Sequence, residues 1–209
     1  MAILSLFVLA MILVRILRYP GTPQHTGIAW NLLLAWIPFV LALLVYEARS
    51  RLSTPLFAAS CLLWLLFLPN APYLLTDLKY IGNHGSVPVL YDVVFLSAAA
   101  WTGLLLGLVS LFLMHVVWRQ LIGALNAWAL VIGVLALSSF GIYLGRVQRW
   151  NSWDIVTRPG SLVGQIAHGL LDPLAHARPL ALTMVFTTFL LASYLVVYSF
   201  ARFSNSVAR

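Results

Sequence analysis

The chain has 209 residues, of which 62% are hydrophobic and only 8% charged. Soluble domains carry about a quarter charged residues, and a soluble chain of this length has no means of hiding so much apolar surface, so a water-soluble fold is excluded. The net charge is +7, yet the twelve Lys and Arg sit singly or in pairs at the ends of apolar segments; that is the pattern of headgroup anchors and excludes nucleic acid as a partner.

A helix rises about 1.5 Å per residue, so crossing a hydrocarbon layer of roughly 30 Å takes about 20 apolar residues. Six candidates follow in chain order. The first is Ala2–Leu17, which is short, with Arg15 placed to snorkel toward headgroups. No basic n-region or small-x-small cleavage site marks it as a removed signal, so a retained helix is expected. The second is Ile28–Tyr46, with a kink expected at Pro38. The third begins at Pro55 and is interrupted at Pro69. The fourth runs from about Val89 to Val117, long enough to tilt or project. The fifth covers about Leu121–Gly145 and the sixth Leu180–Phe200. The expected fold class is all-α: a polytopic transmembrane helical bundle of about six spans, one integral membrane domain over residues 1–209. The lipid bilayer is its first partner.

Small residues recur along the fourth and fifth spans: Ala99, Gly103 and Gly107 in one, Ala129, Gly133, Gly141 and Gly145 in the other. Such faces let helix backbones approach closely in lipid. The expectation is that these two spans form a tight antiparallel pair through them.

The segment Phe67-Leu-Pro-Asn-Ala-Pro-Tyr-Leu-Leu-Thr-Asp77 is the most informative. The apolar run before it, Pro55–Leu68, holds 14 residues, about 21 Å of helix and too short to cross. Pro69 and Pro72 each lack an N–H, and Pro72 biases Ala71 away from helical angles. The third helix is therefore expected to break at Pro-Asn-Ala-Pro, with Asn70 serving backbone groups the break sets free. Broken helices often line binding sites; a plain proline kink with Asn70 as a cap is the simpler outcome.

Six spans put the first, third and fifth loops on one side, here the odd side. Asp77, Asp92, Asp154 and Asp172 fall there, and only Glu47 falls on the even side. Ionisable groups near membrane depth are costly and face a partner or a wet cavity. The candidate ligand-binding set is accordingly Asn31, Asn70, Tyr73, Asp77, Tyr91, Asp92, Arg146, Arg149, Asn151 and Asp154. A helix through Trp153 would put Arg146, Arg149, Trp150 and Trp153 on one face. Arginine grips a carboxylate or phosphate at two points; an interfacial belt of tryptophan and arginine is the blander alternative. Arg146 follows the small-residue face of the fifth span, so it is expected to point inward and to pair with an aspartate, first of all Asp92. The odd side holds seven Lys and Arg against five on the even side; without Arg146 and Arg149 the sides balance, and cytoplasmic termini are the expectation.

No nucleophile motif, phosphate loop or metal-ligand spacing is present, so no metal and no cofactor are expected. Cys61 lies within an apolar run and reads as a small hydrophobe. His84 lies in the third loop as a solvated histidine, and the amphipathic stretch Leu162–Leu171 suits a helix lying on the membrane surface or over the odd side.

Three features together carry a family resemblance: Phe67 through Asp77, the pair Tyr91-Asp92, and Gly145-Arg146 through Arg149-Trp-Asn-Ser-Trp-Asp154. In these the chain resembles the DUF1361 family of bacterial membrane proteins, over roughly residues 28–200. Family members often carry a histidine soon after the threonine–aspartate pair, where this chain has Lys79 and Tyr80; the departure weakens any metal reading. The resemblance implies a bacterial inner or plasma membrane location and no particular chemistry.

Three function classes follow. The first is an integral membrane protein that binds or transports a small anionic or lipid-like ligand in the odd-side polar cluster. The second is a membrane-embedded enzyme acting on a lipid headgroup, with Asp77, Asp92 or Asp154 as acid, base or metal ligand. The third is a structural or accessory membrane protein whose charges staple helix ends. A cavity lined by the arginines and aspartates favours the first two, and an internally paired cluster favours the third.

Overall fold

The computed structural model describes residues 1–19, 24–83, 87–147, 160 and 177–207. They are helical apart from short connections, with no strand among them. The helices are α1 (Ala2–Arg18), α2 (Gln24–Ala48), α3 (Thr54–Phe67), the single turn α4 (Asn70–Tyr73), α5 (Val89–Ile122), α6 (Ala124–Val147) and α7 (Ala177–Val207). A 3-10 segment, Leu74–Tyr80, continues from α4. Five stretches are long and apolar enough to cross a membrane: Gly27–Ala48, Thr54–Tyr80, Val89–Ile122, Ala124–Arg146 and Leu180–Phe203. α1, with 17 residues, rises about 26 Å, just short of the hydrocarbon layer. The chain is a polytopic helical bundle, and it divides into two compact units, Met1–Leu121 and Ile122–Arg209.

In the first unit, α2 packs against α1, α3, α4 and the 3-10 segment. α1 turns Ser5, Val8, Ile12 and Arg15 inward at three- and four-residue spacing, while Ile3, Leu6, Leu13 and Leu17 are exposed. Val8 and Ile12 join a core with Ile28, Leu32 and Ala35 of α2, Ala71 and Leu74 of the broken segment, and Phe95, Leu96 and Ala99 of α5. The Trp36 indole N–H donates to Ser5 Oγ at 3.1 Å and ties α2 to α1. Pro38 lies inside α2 without ending it.

The third span is interrupted where the prolines require it, in the form of a tightened turn rather than an unwound one. Pro72 has no N–H to offer the Leu68 carbonyl, and that oxygen instead accepts from the Ala71 N–H at 3.1 Å. The Phe67 carbonyl thereby loses its usual helical donor. Asn70 Nδ2 takes the vacancy, donating to Phe67 O at 3.0 Å. Tyr73 N–H resumes the helical pattern with Pro69 O at 3.1 Å.

The small-residue face of α5 is filled by this broken segment, which corrects the expected use of that face. A Cβ at Gly103 would lie 2.3 Å from the Ala71 carbonyl oxygen and 2.6 Å from Leu74 Cδ1. One at Gly107 would lie 3.1 Å from Ala71 Cβ. Further along, the Trp64 indole donates to Ser110 Oγ at 3.3 Å, and its ring meets Trp118 edge-on at 5.6 Å.

The boundary between the fourth and fifth spans falls at Gly123, whose φ is +81°, a left-handed conformation that suits glycine after a helix end. Leu121 and Ile122 thus belong to α5 rather than to the next span. Asn126 Nδ2 caps the Ile122 carbonyl at 3.0 Å. In the second unit α6 packs on α7. Trp128 of α6 lies edge-on to Tyr194 and Tyr198 of α7, with centroids at 5.9 and 5.0 Å, and the Arg202 guanidinium lies 5.8 Å from the Tyr198 ring centre. Among the described residues, a Cβ at Gly133 would meet nothing within 4 Å.

Candidate functional site

Asp92 enters the bundle in the first turn of α5, where a helix N-terminus favours negative charge. Its Oδ1 is 2.7 Å from Arg15 Nη1, and both side chains are 1% exposed. Its Oδ2 accepts the Gly82 N–H at 3.3 Å. Gly82 has φ +74°, a turn after the 3-10 segment that glycine adopts without strain. The Arg15 guanidinium also lies 5.7 Å from the centre of the Phe95 ring, within cation–π range. The neighbouring Tyr91 hydroxyl donates to the Met11 carbonyl of α1, and its ring packs near Tyr19 at 6.1 Å. α1 and α5 are thus pinned by a buried ion pair and by a hydrogen bond about one turn away.

A second polar contact joins α2 to the 3-10 segment. Asn31 Nδ2 donates to Asp77 Oδ2 at 3.3 Å, and Asp77 is buried. Thr76 Oγ1 donates to the Tyr73 carbonyl at 2.6 Å, a local bond that helps hold the tight turn. Asn70 serves the break, as described. The structure therefore brings Asn31 to Asp77, and Tyr91 and Asp92 to α1, all inside the first unit.

The Asp92 partner corrects the sequence expectation. Arg15 takes the carboxylate, and Arg146 belongs to the second unit, half-buried in the last turn of α6. Arg15 was expected to snorkel. The physical reason it does not is its place on the inward stripe of α1, in register with Ser5, Val8 and Ile12. A charge on that stripe must find a counter-charge, because leaving it unpaired in apolar surroundings costs several kcal/mol. That spacing is the signal in the sequence that would have found Arg15; nothing comparable marks Gly82.

Arg149, Asn151 and Asp154, His84, and the stretch Leu162–Leu171 lie outside the described residues. Among the described residues, no group of three or more His, Cys, Asp and Glu is placed to hold a metal ion.

Comparison with curated proteins and with solved structures gave no match. A match does exist at the level of families, over residues 30–193, which include Asn31, the broken third span, Asp77, Gly82, Tyr91, Asp92 and Arg146. α1 and its Arg15 lie before the matched segment. Since the match covers well over half of the sequence, the chain belongs to the family described as Protein of unknown function (DUF1361).

Proposed function

We propose that this integral membrane protein is a structural or accessory component of the bacterial inner or plasma membrane, in which the buried charges of the first unit hold helices together rather than meet a ligand. The observation that carries this reading is the Arg15–Asp92 pair. Its two side chains are closed off from solvent, and the second carboxylate oxygen is occupied by the Gly82 N–H. An ion pair neutralised inside the protein leaves Asp92 poorly suited to act as acid, base or ion ligand, which counts against an enzyme built on it. Removing one partner of such a pair strands the other, so the arrangement rigidifies the bundle even where its net stabilisation is modest.

A second reading keeps a small anionic or lipid-like ligand, bound or transported. What supports it is the sequence near the end of α6: Arg146 and Arg149 are three residues apart, followed by Asn151 and Asp154, with donors suited to a phosphate or carboxylate. Native mass spectrometry of the purified protein separates the two. The structural reading expects the bare chain, with only exchangeable lipid attached. A stoichiometric anion or lipid retained by the wild type and lost in Arg146→Gln overturns it in favour of the ligand reading. Cytoplasmic termini belong to the same proposal. An impermeant thiol reagent applied to intact cells should leave cysteines introduced beside Arg49 or Arg202 unlabelled, and their labelling would reverse the orientation.

A further inference from the structure

The two halves of the buried ion pair come from different parts of the chain in a sense that matters. Asp92, Gly82, Tyr91 and Phe95 all lie within the family-matched segment, and Arg15 lies before it. The carboxylate and the ring that meet the Arg15 guanidinium are thus both supplied by the family-matched segment, while the arginine lies before it. We propose that the core carries a guanidinium-binding site, formed by the Asp92 carboxylate and the Phe95 ring, which this chain fills with its own Arg15.

The site has the parts such a receptor requires. The carboxylate supplies the counter-charge at 2.7 Å, and a charge-assisted bond of that length is among the stronger protein hydrogen bonds. The Gly82 N–H holds the other carboxylate oxygen at 3.3 Å and so fixes its orientation. The Phe95 ring, 5.7 Å from the guanidinium carbon and fully buried, offers a π face in surroundings where cation–π attraction is strongest. The Tyr91 hydroxyl grips the Met11 carbonyl and holds α1 about one turn from the arginine. α1 behaves as a tethered plug. Beyond the arginine it contributes Val8 and Ile12, the partly buried Met1 and Met11, and Ser5, which accepts from Trp36, while much of its remaining surface is exposed. Tethering gives Arg15 a high effective concentration, which keeps free cations out of the wild-type site.

This inference rests on the structural reading of the ion pair, and its test is chosen so that the two fail separately. Full-length Arg15→Gly in detergent micelles is unfolded by heat with and without methylguanidinium chloride, at concentrations well below those that denature, against sodium chloride and tetramethylammonium chloride at equal ionic strength. The expected result is a midpoint several degrees below wild type that methylguanidinium raises and the two control salts do not, since a ligand that binds only the folded state stabilises it. Wild type, whose site is filled, and the double variant Arg15→Gly with Asp92→Asn should show no selective rise. Should Arg15→Gly fail to fold, Arg15→Met replaces it, with recovery of folded protein on refolding in methylguanidinium as the readout. No selective effect of methylguanidinium on either variant, or an equal effect on wild type, overturns the receptor while leaving the staple intact. A midpoint for Arg15→Gly equal to wild type overturns the staple itself.

Discussion

At Gly103, in the first unit, the place a side chain would occupy is already taken by the Ala71 carbonyl and the Leu74 side chain; at Gly133, in the second, nothing among the described residues lies within 4 Å of that place. The two glycines belong to sequence stripes of the same kind, small residues every fourth position in apolar helices. The difference shows that such a stripe records permission for close approach and not its use. α5 uses the permission, because a proline-broken turn with displaced carbonyls must dock against something that lets its backbone come close. α6 meets α7 through large rings instead, Trp128 against Tyr194 and Tyr198. The first unit also carries polar pins, the buried pair of Arg15 and Asp92 and the part-buried contact of Asn31 with Asp77. Within the apolar windows, 61% of α5 is buried against 11% of α7, so the polar pins and the close backbone approach fall on the helix with the larger buried share.

Substitutions can break or sharpen this contrast, all read as unfolding free energies in mixed micelles. Asp92→Asn should have the largest effect, a loss of about 3–5 kcal/mol, because it strands a buried guanidinium; a loss below about 1 kcal/mol would deny the pin its weight. Gly103→Ala should come next, at about 2–3 kcal/mol, since its methyl group meets a backbone oxygen that cannot yield without moving the broken turn. Asn70→Ala should cost about 1–2 kcal/mol by leaving the Phe67 carbonyl without its donor, and restoration by Asn70→Gln is not expected, because the longer side chain overshoots a bond three residues back. Tyr198→Leu in the second unit should cost about 1 kcal/mol, the scale of aromatic pairing beyond simple burial. Gly133→Ala should lie at the bottom, neutral or stabilising by up to about 1 kcal/mol through helix propensity alone. If Gly103→Ala and Gly133→Ala behave alike, the contrast between the two stripes is gone.

The break in the third span was legible because its cause is local. Two prolines three residues apart remove two N–H donors, and the short apolar run before them fixes where the break falls. Asn70 follows from the same arithmetic of freed carbonyls. That Asp92 and Asp77 are inward-facing was also legible, from the cost of charge in lipid. Which cation meets Asp92 was not, because Arg15 is 77 positions away and several arginines crowd the same side. Length alone presented α1 as a marginal span with an arginine free to reach headgroups. The stripe Ser5, Val8, Ile12, Arg15 carried the contrary information, and it becomes decisive only once one knows which face of α1 is covered. The α5 stripe was legible as a docking surface and misread as to its occupant, since nothing in the spacing of glycines names the backbone that will fill them.

The central claim is that Arg15 and Asp92 act as one buried unit. A double-mutant cycle tests it most directly, with Arg15→Gln, Asp92→Asn and the double variant unfolded side by side in the same micelles. If the two charges serve each other, the double variant should lose no more stability than the worse single variant, because removing the second charge relieves the first of its stranding, and the coupling should reach about 2–3 kcal/mol. Losses that simply add, with coupling under about 0.5 kcal/mol, would contradict it and show that each residue is held by other partners.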